Sequence, residues 1–326
     1  MEEFQVIWGW QPALYLFLGG MGAGAFIAAM VLHLRDGANH RRLVGASILA
    51  AVVCLIVGLL LLLSELISPL RGMMMWQSFS NTASWMTFGA WVVFAAVVVF
   101  LATWLCVSDG AARIIGGAWK GFDAVRDRLA RVLGIIGMVL GAAVAVYTGI
   151  LLMSAPGVPL WNTALIPCLF TVSALDTGIA LVEVIAFALK GREPLGHALT
   201  RMLEIGVVVL VVVELLVLAF LLVGMAAGNT VDAFIATDAA ATAKASGALI
   251  VSGGLAVPFW LLVVACGLLV PLAAAVLALV RSESPAAVAL VGAAGALIGG
   301  CALRFIIVMA GVHADPVMDA VARIIG

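Results

Sequence analysis

Charge is what this chain lacks. Only 10% of its 326 residues are charged, against 65% hydrophobic residues and a mean hydropathy of +1.27. A soluble domain of that size does not read this way, whereas a polytopic membrane protein does. A net charge of −1 offers no electrostatic footprint for nucleic acid. Cysteine is scattered: Cys54, Cys106, Cys168, Cys266 and Cys301 form no CxxC pair, which argues against an iron–sulfur cluster or zinc held by this chain. His33, His40, His197 and His313 fall at span ends or in loops, so no facing pair of helix-interior imidazoles is available for a b-type haem. Lys120, Lys190 and Lys244 also lie in loops, which argues against a retinal-type Schiff base. Any redox role must then rest on a carrier that diffuses in, or on a partner. The opening MEEF lacks the basic region of a secretory signal, so the first span is expected to be retained.

What is present is apolar length. Eight runs near 12–33, 43–68, 83–107, 131–153, 163–189, 199–224, 255–280 and 286–312 each hold roughly 20 or more residues, enough to cross a hydrocarbon core at about 1.5 Å per residue. The expected fold is an all-α integral membrane protein. It forms one membrane domain of two four-helix bundles, 1–155 and 156–326. The loops after spans 1, 3, 5 and 7 carry twelve basic residues, among them Arg41, Arg126, Lys190, Arg201 and Arg281. The opposite side carries Arg71, Lys244 and Arg323. The positive-inside rule therefore places both termini outside, in the periplasm of a bacterium. The 108–130 loop reads as a short amphipathic surface helix. The longest outer connection, 225–246, is rich in Ala, Gly, Thr and Asp and reads either as a cap on the outer face or as a contact for a partner, and SGALIVSGG at 246–254 reads as a lead-in to the seventh span. Pro258 and Pro271 should bend that span.

Gly19, Gly20, Gly22 and Gly24 in the first span permit close backbone approach between helices, with a surface for a flat ligand ring as the minority reading. Trp8, Trp10, Trp76, Trp85 and Trp161 all fall near the outer interface, most of them as belt anchors.

Polar residues inside hydrocarbon mark where function should be sought. Gln11 and Tyr15 stand one turn apart on one face of span 1. Tyr147 lies roughly 9 Å below the outer end of span 4, and Trp161 and Asn162 stand where span 5 begins. These shallow groups suit a quinone, which needs an apolar slot and one or two donors at its carbonyl oxygens. Singly, each tyrosine reads as an interfacial or helix-bridging residue, but Tyr15 and Tyr147 are the only two in the chain. The deeper ionisable residues are Glu65, Asp176, Glu183, Glu204, Glu214 and Arg304. Arg304 needs a partner, and Asp176 or Glu214 stands at compatible depth. The surplus acids are candidates for a proton pathway, with a structural ion pair as the plainer reading.

These motifs together, WGWQPALYLFLGGMGAG, NTASWMTFGAW, YTGILL, PLWN and SALDTGIA, make the chain resemble the NrfD/polysulfide-reductase (PsrC-like) membrane-subunit family over nearly its whole length. The resemblance implies an eight- or nine-helix, quinone-binding protein of the bacterial or archaeal cytoplasmic membrane. It also implies electron exchange between menaquinone or ubiquinone and a ferredoxin-like iron–sulfur subunit on the outer face, usually serving a molybdopterin catalytic subunit. By the same resemblance Tyr147, in the YTG motif, contacts the quinone. Some relatives carry a histidine in the opening aromatic motif, where this chain has Gly9, and Gln11 is the substitute. A proton-coupled secondary transporter is the rival reading, since intramembrane acids and a lone arginine suit it too. Against it, the halves show no inverted repeat and the polar aromatic group is shallow. A purely structural anchor is the third.

Overall fold

The computed structural model describes residues 8–37, 39–65, 85–118, 121–155, 157–191, 193–228, 239–281 and 286–312. Among them there is no strand, and eight helices are long and apolar enough to cross a membrane. In order along the sequence the helices are α1 Trp10–Asp36, α2 Arg41–Glu65, α3 Trp85–Val107, α4 Asp109–Ala118 and α5 Phe122–Met153. They continue with α6 Leu165–Leu189, α7 His197–Ala227, α8 Ala239–Val251, α9 Ala256–Val280 and α10 Ala286–Met309. All but α4 and α8 are the expected spans.

Three differences from expectation have physical causes. First, α5 begins at Phe122, well before residue 131. The stretch after α4 keeps helical hydrogen bonding into water, because Arg126 anchors it by donating to the carbonyls of Cys106 and Val107 and to Asp109. Second, α8 occupies ground read as an outer connection and a lead-in to the seventh span. Its small residues pack rather than alternate: Ala243, Ser246, Leu249 and Ile250 are buried, and α8 lies against α7. A turn at 252–255 separates it from the seventh span. Third, the bend expected of Pro258 and Pro271 takes a specific form. Between them Phe259–Leu269 is π-helical, and the Val270 N–H donates to the Ala265 carbonyl, five residues back. Proline at 271 cannot donate, so a wider register ahead of it re-seats the ladder.

α1 is the hub. It packs on α2, α5, α6 and α10, and Leu16, Ala23, Ala25, Phe26, Ala29, Met30 and Leu32 are shut off from the surface. Its glycines explain how. A Cβ on Gly24 would stand 1.9 Å from the Ala174 carbonyl oxygen of α6, and one on Gly178 would stand 2.2 Å from the Gly24 carbonyl carbon. The two backbones touch where both helices offer only hydrogen, which is the close-packing reading of the glycine run. Within the first half α2 also meets α3, and α3 meets α5. Within the second, α6 meets α7 and α10, α9 meets α7 and α10, and the halves join along α1, α5 and α6. The faces left over are aliphatic and aromatic: Phe88, Phe94, Val139, Phe220 and Val223 are each more than half exposed, as lipid contact requires.

The end of the molecule carrying the basic loops is tied by ions. Arg41 lies 3.0 Å from Asp127 and 3.6 Å from Asp109, and Arg126 lies 2.8 Å from Asp109. Glu193, in the connection from α6 to α7, accepts from the N–H groups of Arg42 and Leu43 and so caps α2 from a distant part of the sequence. The hydrogen bond from Arg126 holds the half-exposed Asp109 carboxyl below its ordinary range. A depressed folded-state pKa means that its contribution is present at neutral pH and is lost as pH falls through the carboxylate range.

Replacing Gly178 with Leu forces α1 and α6 apart. The expected cost is about 3 kcal/mol, at the upper end of ordinary overpacking, read as a lower thermal unfolding midpoint in detergent. Gly117→Leu on α4, where a Cβ has nothing within 4 Å, should leave the midpoint unchanged.

Candidate functional site

Near the N-terminal end of α1 and the C-terminal end of α5 the protein's two tyrosines share one core cluster with Trp161. Tyr15 is 4% exposed and Tyr147 5% exposed. Each ring fills a notch cut by a glycine on a neighbouring span. The Tyr15 ring lies along Gly58 of α2, where an added Cβ would come within 3.3 Å. The Tyr147 ring occupies the place a Cβ on Gly89 of α3 would take, 1.7 Å from the ring's Cζ and 2.1 Å from the hydroxyl oxygen. Gly89 is thus a functional candidate that sequence reading missed. Its signal, a glycine inside the NTASWMTFGAW run, was legible only as one small residue among many.

Gln11 is half-buried at the start of α1, and Asn162 is half-buried in the short turn leading to α6. Trp161 does not act as a belt anchor. It is 1% exposed, donates its indole N–H to the Ile307 carbonyl at 2.8 Å, and meets Trp8 at 5.7 Å between ring centroids. A buried indole needs an acceptor, and the C-terminal turn of α10 supplies one. Trp10 and Trp85, by contrast, stand 56% and 50% exposed as interface residues do, while Trp76 lies outside the described residues. This first group therefore comprises Tyr15 and Tyr147 inside, with Gln11 and Asn162 nearer the surface.

The second group lies deeper. Arg304 is fully buried on α10, yet no carboxylate pairs with it among the described residues. The expected ion pair with Asp176 or Glu214 is replaced by neutral dipoles. Nη1 donates to the Ser173 hydroxyl and to the Gly300 carbonyl at 3.0 Å; Nη2 donates to the Phe170 carbonyl at 3.2 Å. The guanidinium also lies over the Phe170 ring, 5.0 Å from its centroid. Three acceptors and a ring face solvate the cation without the cost of bringing a carboxylate into contact. Small neighbours make room: Cβ atoms on Gly20 and Gly300 would each come within 3.5 Å of a guanidinium nitrogen. Arg304 Nε and Asp176 Oδ1 are buried without a hydrogen-bond partner in the structure.

Asp176, Glu183 and Glu204 lie outside that nest, and Glu214 borders it through Ser173. Asp176, Glu204 and Glu214 are buried. Asp176 on α6, Glu183 one turn-pair further along it, and Glu204 on α7 line a narrow cavity walled by small residues of α9 and α10, with room for about one water. A second cavity of about 620 Å³ shares Glu183 and Glu204 and lies where α6 and α9 end and α7 and α10 begin, the end that carries the basic loops. Glu214 stands further along α7, facing Ser173. For Glu65 only the helix end is described, and its side chain lies outside the described residues. Among the described residues no cluster of three or more His, Cys, Asp or Glu side chains could hold a metal ion.

Comparison with known proteins matches this architecture as a whole. The family model described as "Polysulphide reductase, NrfD" matches residues 2–314. The protein is 31% identical to the C polypeptide of polysulfide reductase from Wolinella succinogenes, over 95% of its own length and 96% of the relative's. It is 27% identical to protein NrfD of Escherichia coli, over 94% and 95% of the two lengths. With the NrfD homolog of Haemophilus influenzae it shares 26% identity over 94% of each. A match across nearly the full length, on a sequence with eight membrane-crossing helices, leaves one assignment: this multi-pass protein of the cytoplasmic membrane belongs to the NrfD/polysulphide reductase family.

Proposed function

We propose that this protein is the quinone-reactive membrane subunit of a multisubunit oxidoreductase. It exchanges electrons between menaquinone or ubiquinone and a ferredoxin-like iron–sulfur subunit on the outer face, which in turn serves a molybdopterin catalytic subunit. Family membership supports the coarse reading, and one relative is by name a component of polysulfide reductase. The observation that carries the site is the convergence of Tyr15 and Tyr147, from different halves of the first bundle, in one outer core cluster beside half-buried Gln11 and Asn162.

A quinol supplies two electrons and two protons; the protein supplies position and proton handling. The Tyr147 hydroxyl and the Gln11 amide would hold the quinone by donating to its carbonyl oxygens, and the apolar walls of α1, α3 and α5 would exclude water. Tyr147 is nearly enclosed and its ring lies against Gly89, so the placement of its hydroxyl depends on that glycine. Gly89 is therefore part of the site's design as much as the tyrosine. Asp176, Glu183, Glu204 and Glu214 are the proton-handling groups. Buried or half-buried, and without an ion-pair partner among the described residues, they are able to hold and release protons within hydrocarbon, and Glu65 belongs to the same set at the outer side. Arg304, solvated by neutral groups, keeps a positive charge in the neighbourhood of Asp176 and Glu214 without touching either.

The cavity that ends on Glu183 and Glu204 is the one observation that favours a proton-coupled transporter instead. Purification separates the readings: a co-purifying quinone and iron–sulfur subunit supports the first, and a solitary protein that moves a solute supports the second.

Tyr147→Phe should lower quinol-dependent electron transfer in isolated membranes by about tenfold, the worth of one well-placed donor; wild-type kinetics in that variant discredits the site. Gly89→Ala should lower it further by displacing the ring, and in a Tyr147→Ala background the same change should cost little, because coupled sites are not additive. Asp176→Asn should leave quinol turnover measurable while reducing protons moved per electron. Unchanged turnover together with an unchanged proton ratio removes Asp176 from the pathway.

A further inference from the structure

The 620 Å³ cavity has a mouth that none of the quinone chemistry uses. Its rim is formed by Lys190 at the end of α6, His197 and Arg201 in the first turns of α7, and Arg281 at the end of α9. All four are exposed. Among the described residues none of them has a carboxylate partner, and Lys190 instead lies over the Phe187 ring, 4.2 Å from its centroid. Elsewhere at this end of the molecule Arg41, Arg42 and Arg126 are paired with acids. What sets the four rim residues apart is that they are gathered around one opening.

The surface running from the rim towards the membrane interior is aliphatic. On α7, Ile205 and Val209 follow Arg201 at four-residue intervals and are 46% and 54% exposed; on α9, Leu277 precedes Arg281 by four and is 42% exposed. Residues four apart share a helix face, so beneath each arginine runs a greasy stripe facing the same way. The inner wall of the cavity is different again, closed by Glu183 and Glu204. The volume falls in the range of small-molecule sites.

We propose that this cavity binds the headgroup of an anionic glycerophospholipid. The phosphate meets Lys190, Arg201 and Arg281. The glycerol hydroxyls point inward as donors to Glu183 and Glu204, and the acyl chains lie along Ile205, Val209 and Leu277. Basic pockets between spans at the cytoplasmic side are the expected seats for such headgroups. A zwitterionic choline headgroup fits poorly, because it brings no net negative charge to the basic rim and no hydroxyl to donate to the acids.

The test is retention of lipid by the protein, purified with any subunits that accompany it from nanodiscs of equal phosphatidylglycerol and phosphatidylcholine, and read by native mass spectrometry. Wild-type protein should keep phosphatidylglycerol in preference to phosphatidylcholine. The double variant Arg201→Gln, Arg281→Gln should lose that preference by about tenfold, each cation being worth a few-fold at a membrane surface. Arg113→Gln, the same charge change on exposed α4, should keep it. Ala289→Phe, which fills the cavity and leaves every charge in place, should lose it as well, showing that the cavity and not surface charge alone is responsible. No preference in the wild type, or a preference unchanged in the double variant, overturns the proposal. So does displacement of the lipid by excess inorganic phosphate, which would mean that the cations hold a soluble anion.

Discussion

The backbone contact between α1 and α6 at Gly24 and Gly178 sets the rest of the geometry. In a membrane there is no hydrophobic drive to press helices together, so their separation is decided by what their side chains allow. With glycine on both sides, the first and fifth spans meet at atomic contact, and two remote parts of the sequence are locked in register. One end of that register places Tyr15 in the same cluster as Tyr147 and Trp161. Near its middle, Gly20 is brought beside Ala174 and Arg304. A single steric allowance thus positions both the outer aromatic group and the deeper polar nest.

The nest shows how the protein carries a full charge in hydrocarbon. Two carbonyls, one hydroxyl and one aromatic face take the place of the counter-ion. Partners that are not themselves charged impose no second desolvation cost, and they leave Asp176 and Glu214 free of a direct contact that would fix their charge state. The acids and the arginine sense one another through space without being clamped. That separation suits proton handling better than a closed ion pair does.

The number and order of the spans were legible because an apolar run of twenty residues has few other fates. Their ends were less so. α5 runs on into the basic loop because Arg126 finds backbone acceptors on the preceding helix, a tertiary fact absent from the pattern of the loop itself. α8 was hidden because alanine, glycine, serine and threonine give no periodic contrast, although they pack well once α7 is beside them. At the site, the sequence pointed to Tyr147 and Arg304 as residues that needed something, but not to what they found. Tyr147 fits a glycine on α3, and Arg304 is solvated by carbonyls that an inventory of side chains does not count. Trp161 looked like the other interfacial tryptophans because its acceptor is a backbone atom far along the sequence.

That acceptor is Ile307, in the last span, 146 residues beyond Trp161. Spans enter a bilayer in the order in which they are synthesised, so the Trp161 indole lacks this acceptor while α7, α8 and α9 are still being threaded. Only when α10 arrives does the indole find its carbonyl and the outer rim close. A polypeptide arrested short of its final helix would therefore hold nearly all of its membrane-crossing mass and still present an unfinished mouth.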